Sequence, residues 1–311
     1  MTMPLIDEVN NLIREQVQEW AQAAQGYAAL NDVQTTTIPM PGLDARVQFN
    51  PARIVSTGAK VDAASLRARK CFLCAENRPE AQRGISWNGH YTVLVNPFPI
   101  FPRHLTIPDN SHTPQLIKGR IADMMRLAID LEGYTVFYNG PKCGASAPDH
   151  MHFQAGNSDF LPIHEAIEKA ELRHVADNGS AGLSVVAGLP LNLFVIDTTK
   201  PEDGELLFNR LYDALPVKDD ETEPMMNILC RADVSDIRMI VIPRKKHRPS
   251  FYGTEGEGCM LLSPASVDLG GVFITPRPED FRQIDSSVIG KVYDELCLSC
   301  KEIENIIQKI D

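Results

Sequence analysis

Basic residues are in short supply. Thirty Lys and Arg stand against 41 Asp and Glu, a formal net charge of -11 over 311 residues. A broad nucleic-acid surface needs a basic patch to neutralise backbone phosphates, so this balance argues against one. A single nucleotide phosphate is still accommodated, because it needs only a few backbone N–H groups and one or two local cations. No apolar run approaches the roughly 20 residues that span a bilayer. The stretch Met1 to Asn10 lacks the basic-then-apolar order of a secretory signal. Both absences point to the cytoplasm, where the 7 cysteines are expected as reduced thiols or metal ligands, not disulfides. Low-complexity tracts are also missing. With 43% hydrophobic and 23% charged residues, the composition is that of an ordinary globular chain, long enough for one large domain or two medium ones.

Periodicity gives the elements. Val9, Ile13, Val17 and Trp20 recur at helical spacing over residues 8–24. A polar, proline-bearing stretch, Thr35 to Gly42, is followed by strand-like Arg46–Asn50 and Ile54–Ser56. Tyr91–Val95, His104–Ile107 and Tyr134–Tyr138 read as buried strands, the first two stopped by prolines. Between them, Gln115–Leu131 carries one apolar helical face. Asn227–Cys230 and Arg238–Ile242 read as adjacent strands, and Pro278–Ile310 as helix. Arg238 to His247 repeats the Arg, Pro and His spacing of Arg103 to His112, which suggests internal duplication. The acidic, turn-rich stretch Asp203–Pro224 is the expected linker. The architecture expected is α+β: two related half-domains, each an antiparallel sheet with helices packed on one face.

The chemistry concentrates in Asn139-Gly-Pro-Lys-Cys-Gly-Ala-Ser-Ala-Pro-Asp-His150-Met-His152-Phe-Gln154. On a strand, residues 150, 152 and 154 share one face. A neutral imidazole such as that of His152 is a good nucleophile towards phosphorus and a good leaving group afterwards. Gln154 can hydrogen-bond a phosphoryl oxygen without adding negative charge. Gly140 and Gly144 leave room for backbone N–H groups to approach phosphate, and Ser146 adds a hydroxyl. His-x-His alone fits half-buried strand histidines equally well; the 16-residue context favours the site. The second feature, Cys71-Phe-Leu-Cys74, suits one tetrahedral Zn²⁺ with two further ligands. A buried thiol pair and a redox dithiol are the alternatives, although no thioredoxin-like βαβ pattern surrounds it.

These residues carry a resemblance. Asn139 to Gln154 resembles the active-site signature of the histidine-triad superfamily, in the transferase branch whose last triad position is Gln. That branch includes galactose-1-phosphate uridylyltransferase, diadenosine tetraphosphate phosphorylase and the GDP-hexose phosphorylases. The resemblance implies two histidine-triad-like half-domains. An N-terminal helix and strands (1–69) would pack on a catalytic half (70–200) and a second, degenerate half with a C-terminal helix (201–311). It implies that His152 forms a covalent nucleotidyl intermediate and that Gln154 positions the phosphoryl group. Asn139 and Ser146 would contact phosphate or orient His152. Cys71 to Ala75 followed by Asn77-Arg78 is similar to the uridylyltransferase zinc segment. The implied ligands of one structural Zn²⁺ are Cys71, Cys74, His112 and His150; Asn110 competes for the place of His112, in which case His104 would be the third ligand.

A second metal of that family would use Glu168, with Glu165 as rival. Only His247 follows His174, so a full ligand set is not expected and Glu168 reads as a solvated helix residue. In the basic run Arg244-Lys-Lys-His-Arg248, Arg244 and Lys246 are the candidates for substrate phosphate, against a plain solvated turn. Arg53 and Arg78 are further phosphate candidates. Ser263–Gly271, with its glycine pair, reads as a close approach to ligand or as a β-turn. The expected activity is nucleotidyl transfer or phosphorolysis on a nucleoside diphosphate sugar, releasing a sugar 1-phosphate. The alternatives are a dinucleoside polyphosphate phosphorylase and a zinc-stabilised nucleotide-binding protein with little turnover. Expected partners are the nucleotide substrate and a phosphate or sugar-phosphate acceptor, with no nucleic acid and no membrane; a homodimer is allowed.

Overall fold

Alternating side chains decide the architecture. A computed structural model of the chain describes residues 3–54, 62–234, 236–253, 256 and 258–310. Its centre is a ten-stranded sheet built from two five-stranded halves. The first half comprises β3 (Gly84–Trp87), β4 (Tyr91–Val95), β5 (His104–Pro108), β6 (Tyr134–Asn139) and β7 (His152–Asn157). The second comprises β8 (Leu172–Asn178), β9 (Ala181–Val186), β10 (Phe194–Thr198), β11 (Met226–Asp233) and β12 (Asp236–Pro243). The order is β3-β4-β5-β7-β6-β11-β12-β10-β9-β8, and all pairings are antiparallel. The halves therefore share one topology and fuse at β6–β11, where Asn139 lies opposite Asn227.

Both faces of this sheet are covered, so the central strands are apolar on both sides. Met151, Phe153, Val136, Tyr138, Ile228 and Val241 enter one core with the helices Leu5–Glu19, Ile121–Asp130, Pro201–Ala214 and Cys300–Ile310. Phe137, Leu229, Ile240 and Ile242 point the other way. There they meet a three-stranded sheet of β1 (Gln34–Ile38), β2 (Ala45–Phe49) and β13 (Val272–Thr275), in which β13 runs parallel to β2. The helices Pro162–Lys169 and Ser286–Leu296 complete that layer. The α+β class and the antiparallel sheets are as expected; the four helices named first line one face, and the small sheet lies across the other.

Several boundaries differ from the sequence reading for identifiable reasons. Asp203 to Ala214 is helix, not linker: Leu207, Phe208 and Leu211 form a buried stripe beneath the acidic surface residues. The helix expected over Gln115–Leu131 begins only at Ile121, because Gly119 takes a left-handed φ of 78°. Thr35–Ile38 is strand β1, its threonines exposed along an edge. Ile54 is helical in backbone conformation, while Val55 and Ser56 lie outside the described residues. The C-terminal helix is three helices, interrupted after Gln283 and after Leu296. The spacing match between Arg103–His112 and Arg238–His247 links non-equivalent strands, since β12 holds the place of β7 and β10 that of β5. Among the described residues, no helix is long and apolar enough to cross a membrane.

Candidate active site and metal-ligand cluster

Strand alternation sorts β7. With Met151, Phe153 and Ala155 buried in the helix-covered core, His152 and Gln154 face the opposite layer, where a cavity of about 600 Å³ opens. Asn139, Gly144 and Ser146 line the same cavity, as does Arg53. Asn139, Gly144, Ser146, His152 and Gln154 come together through β6, β7 and the connection between them, and Arg53 reaches the cavity from the short helical turn Pro51–Arg53 after β2.

The tautomer of His152 follows from one contact. Its Nδ1 lies 2.8 Å from the His150 carbonyl oxygen, which can only accept, so the proton sits on Nδ1 and the Nε2 lone pair is free. Burial lowers the imidazole pKa to about 4, with the His150 carbonyl opposing and the His150 ring adding to the shift. The ring is therefore neutral at physiological pH, the form a nucleophile needs.

Gln115 holds this strand in place. β6 and β7 stay in register from Tyr134–Asn157 to Phe137–Gln154 and then part. The Gln115 amide enters the gap: Oε1 accepts from His152 N at 2.8 Å, and Nε2 donates to the carbonyls of Asn139 and His152, both at 3.0 Å. Its own backbone carbonyl accepts from Tyr138 Oη at 3.1 Å. Tyr138 Oη shares that single proton with the carboxyl of the buried Glu223, whose pKa burial pushes up to about 7.

The side-chain amide of Asn139 is anchored by its oxygen. Oδ1 accepts from Asn227 Nδ2 at 2.8 Å and from the Ser266 backbone N–H at 2.8 Å, which leaves Nδ2 for a ligand. Gly144 is required twice over: φ is 97°, and a Cβ there would stand 2.5 Å from that of Ala265. Arg53 donates to the Phe98 carbonyl at 2.5 Å. Burial draws its pKa down to about 10, partly offset by the buried Asp268 carboxyl, which lines the same cavity.

Three of the expected phosphate contacts are placed elsewhere. Arg244 is buried and spends its guanidinium on Asn227 Oδ1 and the carbonyls of Pro264, Lys246 and His247. Lys246 is exposed and ion-paired with Glu295. Arg78 does not line the cavity, although its neighbours Asn77 and Pro79 do. The basic run instead sends His247 and Arg248 to the cavity wall, and Arg69 joins them from another segment. Arg69 is held by the Ser146 carbonyl at 3.1 Å and by Asp149 at 3.0 Å, over the face of Phe72. Trp20 also reaches the cavity: one extended residue at φ −110° and ψ 106° breaks the helix after Glu19, and the next begins at Ala21.

Beside the cavity, Cys71, Cys74, His112 and His150 gather with one ligand atom each, all within 4.8 Å of one another. Cys71 Sγ lies 3.3 Å from His150 Nδ1, and Cys74 Sγ lies 3.2 Å from His112 Nδ1 and 3.6 Å from His150 Nδ1. A tetrahedral zinc with Zn–S of about 2.3 Å and Zn–N of about 2.0–2.1 Å has sulfur–nitrogen edges of about 3.5 Å, so the spacing is compatible with a metal site. His150 Nε2 lies 2.8 Å from the Asp109 carbonyl. Its proton is thereby fixed on Nε2, and Nδ1 keeps the lone pair a metal would take. The alternative ligands are occupied elsewhere. His104 bonds Gln154 and the Ile100 N–H, and Asn110 accepts from Thr92. Glu168 pairs with Arg231 and Glu165 with Lys169.

A family model described as a domain of unknown function (DUF4922) matches residues 12–157. No curated protein matches the chain. Among solved structures, yeast Ap4A phosphorylase Apa2 superposes with a TM-score of 0.56 at 17% identity, covering 89% of this chain and 93% of that one. Its complex with AMP gives a TM-score of 0.57 at 17% identity over 92% and 96% of the two chains. The complex with Ap4A gives 0.58 at 17% identity over 96% and 99%. At this identity the likeness is one of architecture: the chain shares the α+β fold of the yeast enzyme.

Proposed function

We propose that this protein is a nucleotide phosphorylase that cleaves dinucleoside polyphosphates through a nucleotidyl intermediate on His152. The observation that carries the reading is the single free ring nitrogen. His152 Nδ1–H is held by the His150 carbonyl, and Nε2 faces a cavity bordered by Gln154, Asn139 and Ser146. Nε2 attacks the phosphorus of one nucleotidyl group; the N–P bond forms as the P–O bond to the remaining polyphosphate breaks. The departing nucleotide carries away the bonding electrons. An oxygen of inorganic phosphate then attacks the same phosphorus in line and expels His152. The products are a nucleoside diphosphate and the free enzyme. The Nδ1–H bond to a neutral carbonyl stabilises the ring charge in the intermediate and orients it throughout.

Gln154, Asn139 and Ser146 supply neutral donors to the phosphoryl oxygens, and Arg53, Arg69 and Arg248 supply the cations that a polyphosphate needs. The fold shared with an enzyme whose structures hold AMP and Ap4A favours this substrate class over the nucleotide sugars suggested by the zinc segment. Nucleotide-sugar phosphorolysis is the second reading, supported by the likeness of Cys71 to Arg78 to the uridylyltransferase segment. Cys71, Cys74, His112 and His150 would hold one structural Zn²⁺ per chain, bracing the segment that leads into β7.

The test is a panel of dinucleoside polyphosphates and nucleotide sugars incubated with inorganic phosphate. Release of nucleoside diphosphate from the dinucleotides, abolished in His152→Ala, is the expected result. Turnover of nucleotide sugars alone would establish the second reading, and turnover of neither would end both.

A further inference from the structure

Gln154 can help a phosphoryl group only with its NH₂ end, because its oxygen would repel phosphate. The two ends of a glutamine amide are similar in shape, so something must choose between them. We infer that His104 is a positioning residue that sets the Gln154 amide with its NH₂ towards the substrate; this rests on the phosphoryl-transfer reading of His152 and Gln154.

A chain of obligatory donors fixes the amide. The Ile100 backbone N–H, which can only donate, lies 3.1 Å from His104 Nδ1, so that nitrogen carries the lone pair. The ring proton is then on Nε2, which lies 3.1 Å from Gln154 Oε1 and donates to it. A Gln154 amide turned the other way would set its NH₂ against the Nε2–H, two donors facing each other in a buried contact. With Oε1 engaged, Nε2 of Gln154 has no partner among the described residues and is left on the cavity side. His104 is itself immobilised. It is fully buried, and Tyr27 Oη lies 3.2 Å from both its backbone N–H and its carbonyl. Its ring stands edge-on to Phe101 at 5.2 Å. Burial, reinforced by nearby Arg53, keeps the imidazole neutral, with a pKa of about 3, so the one-donor, one-acceptor form persists. Register explains how the two residues meet: Thr106 lies opposite Gln154 and His104 opposite Gly156, which places His104 on the same face, one step along β5.

A double-mutant cycle tests this. His104→Phe is expected to slow nucleotidylation of His152 about tenfold, with substrate KM changed less than about threefold. In a Gln154→Ala background the same substitution should change the rate less than about twofold. His104→Gln, which restores a side-chain N–H, should recover most of the loss and serves as the test if His104→Phe fails to fold. Independently, the Gln154 side-chain NH₂ signals, assigned by their loss in Gln154→Ala, should shift on titration with inorganic phosphate in the wild type and move in His104→Phe. Equal losses with and without Gln154, or Gln154 signals insensitive to His104, would overturn the inference. A wild type that shows no nucleotidylation at all would instead overturn the reading of His152, while the resonance experiment would still decide the role of His104.

Discussion

Replacing Gln115 by Met keeps the length and most of the volume of the side chain but removes its amide. Three hydrogen bonds are lost, at 2.8, 3.0 and 3.0 Å, and the His152 N–H, the His152 carbonyl and the Asn139 carbonyl lose this partner where β6 and β7 have separated. At about 1 kcal/mol for each net bond, and more where a buried group is left unpaired, the cost is about 3–5 kcal/mol. A chain of this size should then melt about 5–10 °C lower. Gln115→Glu sharpens the test, since it keeps an acceptor for His152 N–H but sets a carboxylate oxygen against two carbonyls. It should be worse than Met despite being closer in shape. Urea unfolding gives the stability change, and the rate of His152 nucleotidylation gives the functional one, expected to fall with it because Nε2 is no longer held in line. Loss of less than 1 kcal/mol in Gln115→Met, or Glu proving milder than Met, would refute the clamp.

Further outcomes follow from the same structure. His104 and His164 are buried, and burial holds each pKa near 3, well below the unfolded value. The folded form resists protonation, so stability is complete above about pH 6.5 and declines as pH falls towards 3. Each ring contributes a slope of up to about 1.4 kcal/mol per pH unit, alongside the similarly lowered His152 and His247; urea unfolding at pH 4–6.5 should show the summed slope, and His104→Phe should reduce it by about that single-group amount. Trp20 lines the cavity, whereas Trp87 is bonded to Asp130 in the opposite core. Nucleotide binding should therefore change fluorescence in Trp87→Phe and leave it unchanged in Trp20→Phe. Purified protein should carry zinc near one per chain by elemental analysis; Cys74→Ser should lose it and melt at least several degrees lower. Retention of full zinc in Cys74→Ser would remove Cys74 from the ligand set.

The candidate nucleophile and the Cys71–Cys74 pair were legible because their logic is local, whereas the rest of the ligand set, with His112 38 residues from Cys74 and His150 79 from Cys71, came only with the resemblance. His150, Met151 and His152 alternate along one segment, and Cys71 and Cys74 are three residues apart. What supports them was not legible, because it depends on side chains meeting over long chain separations. Gln115 is 37 residues from His152, and Asn227 is 88 from Asn139. The basic run misled for a related reason. A cluster of cations reads as a solvated or ligand-binding turn, yet Arg244 is buried in a cage of carbonyls supplied partly by its own turn and by Pro264. His104 read as a possible metal ligand only through the resemblance, and only the pairing of β5 with β7 shows that it faces Gln154. The helix Pro201–Ala214 was hidden by its acidic surface, although Leu207, Phe208 and Leu211 carried the buried spacing.

The central claim is that Nε2 of His152 bonds to phosphorus. Rapid quenching with a dinucleoside polyphosphate labelled at the α-phosphate, without inorganic phosphate, followed by peptide mapping under alkaline conditions, tests it directly. The account predicts one acid-labile nucleotidyl adduct, on the peptide containing His152, discharged by added phosphate and missing in His152→Ala. An adduct on any other residue, or turnover that persists in His152→Ala, would contradict it.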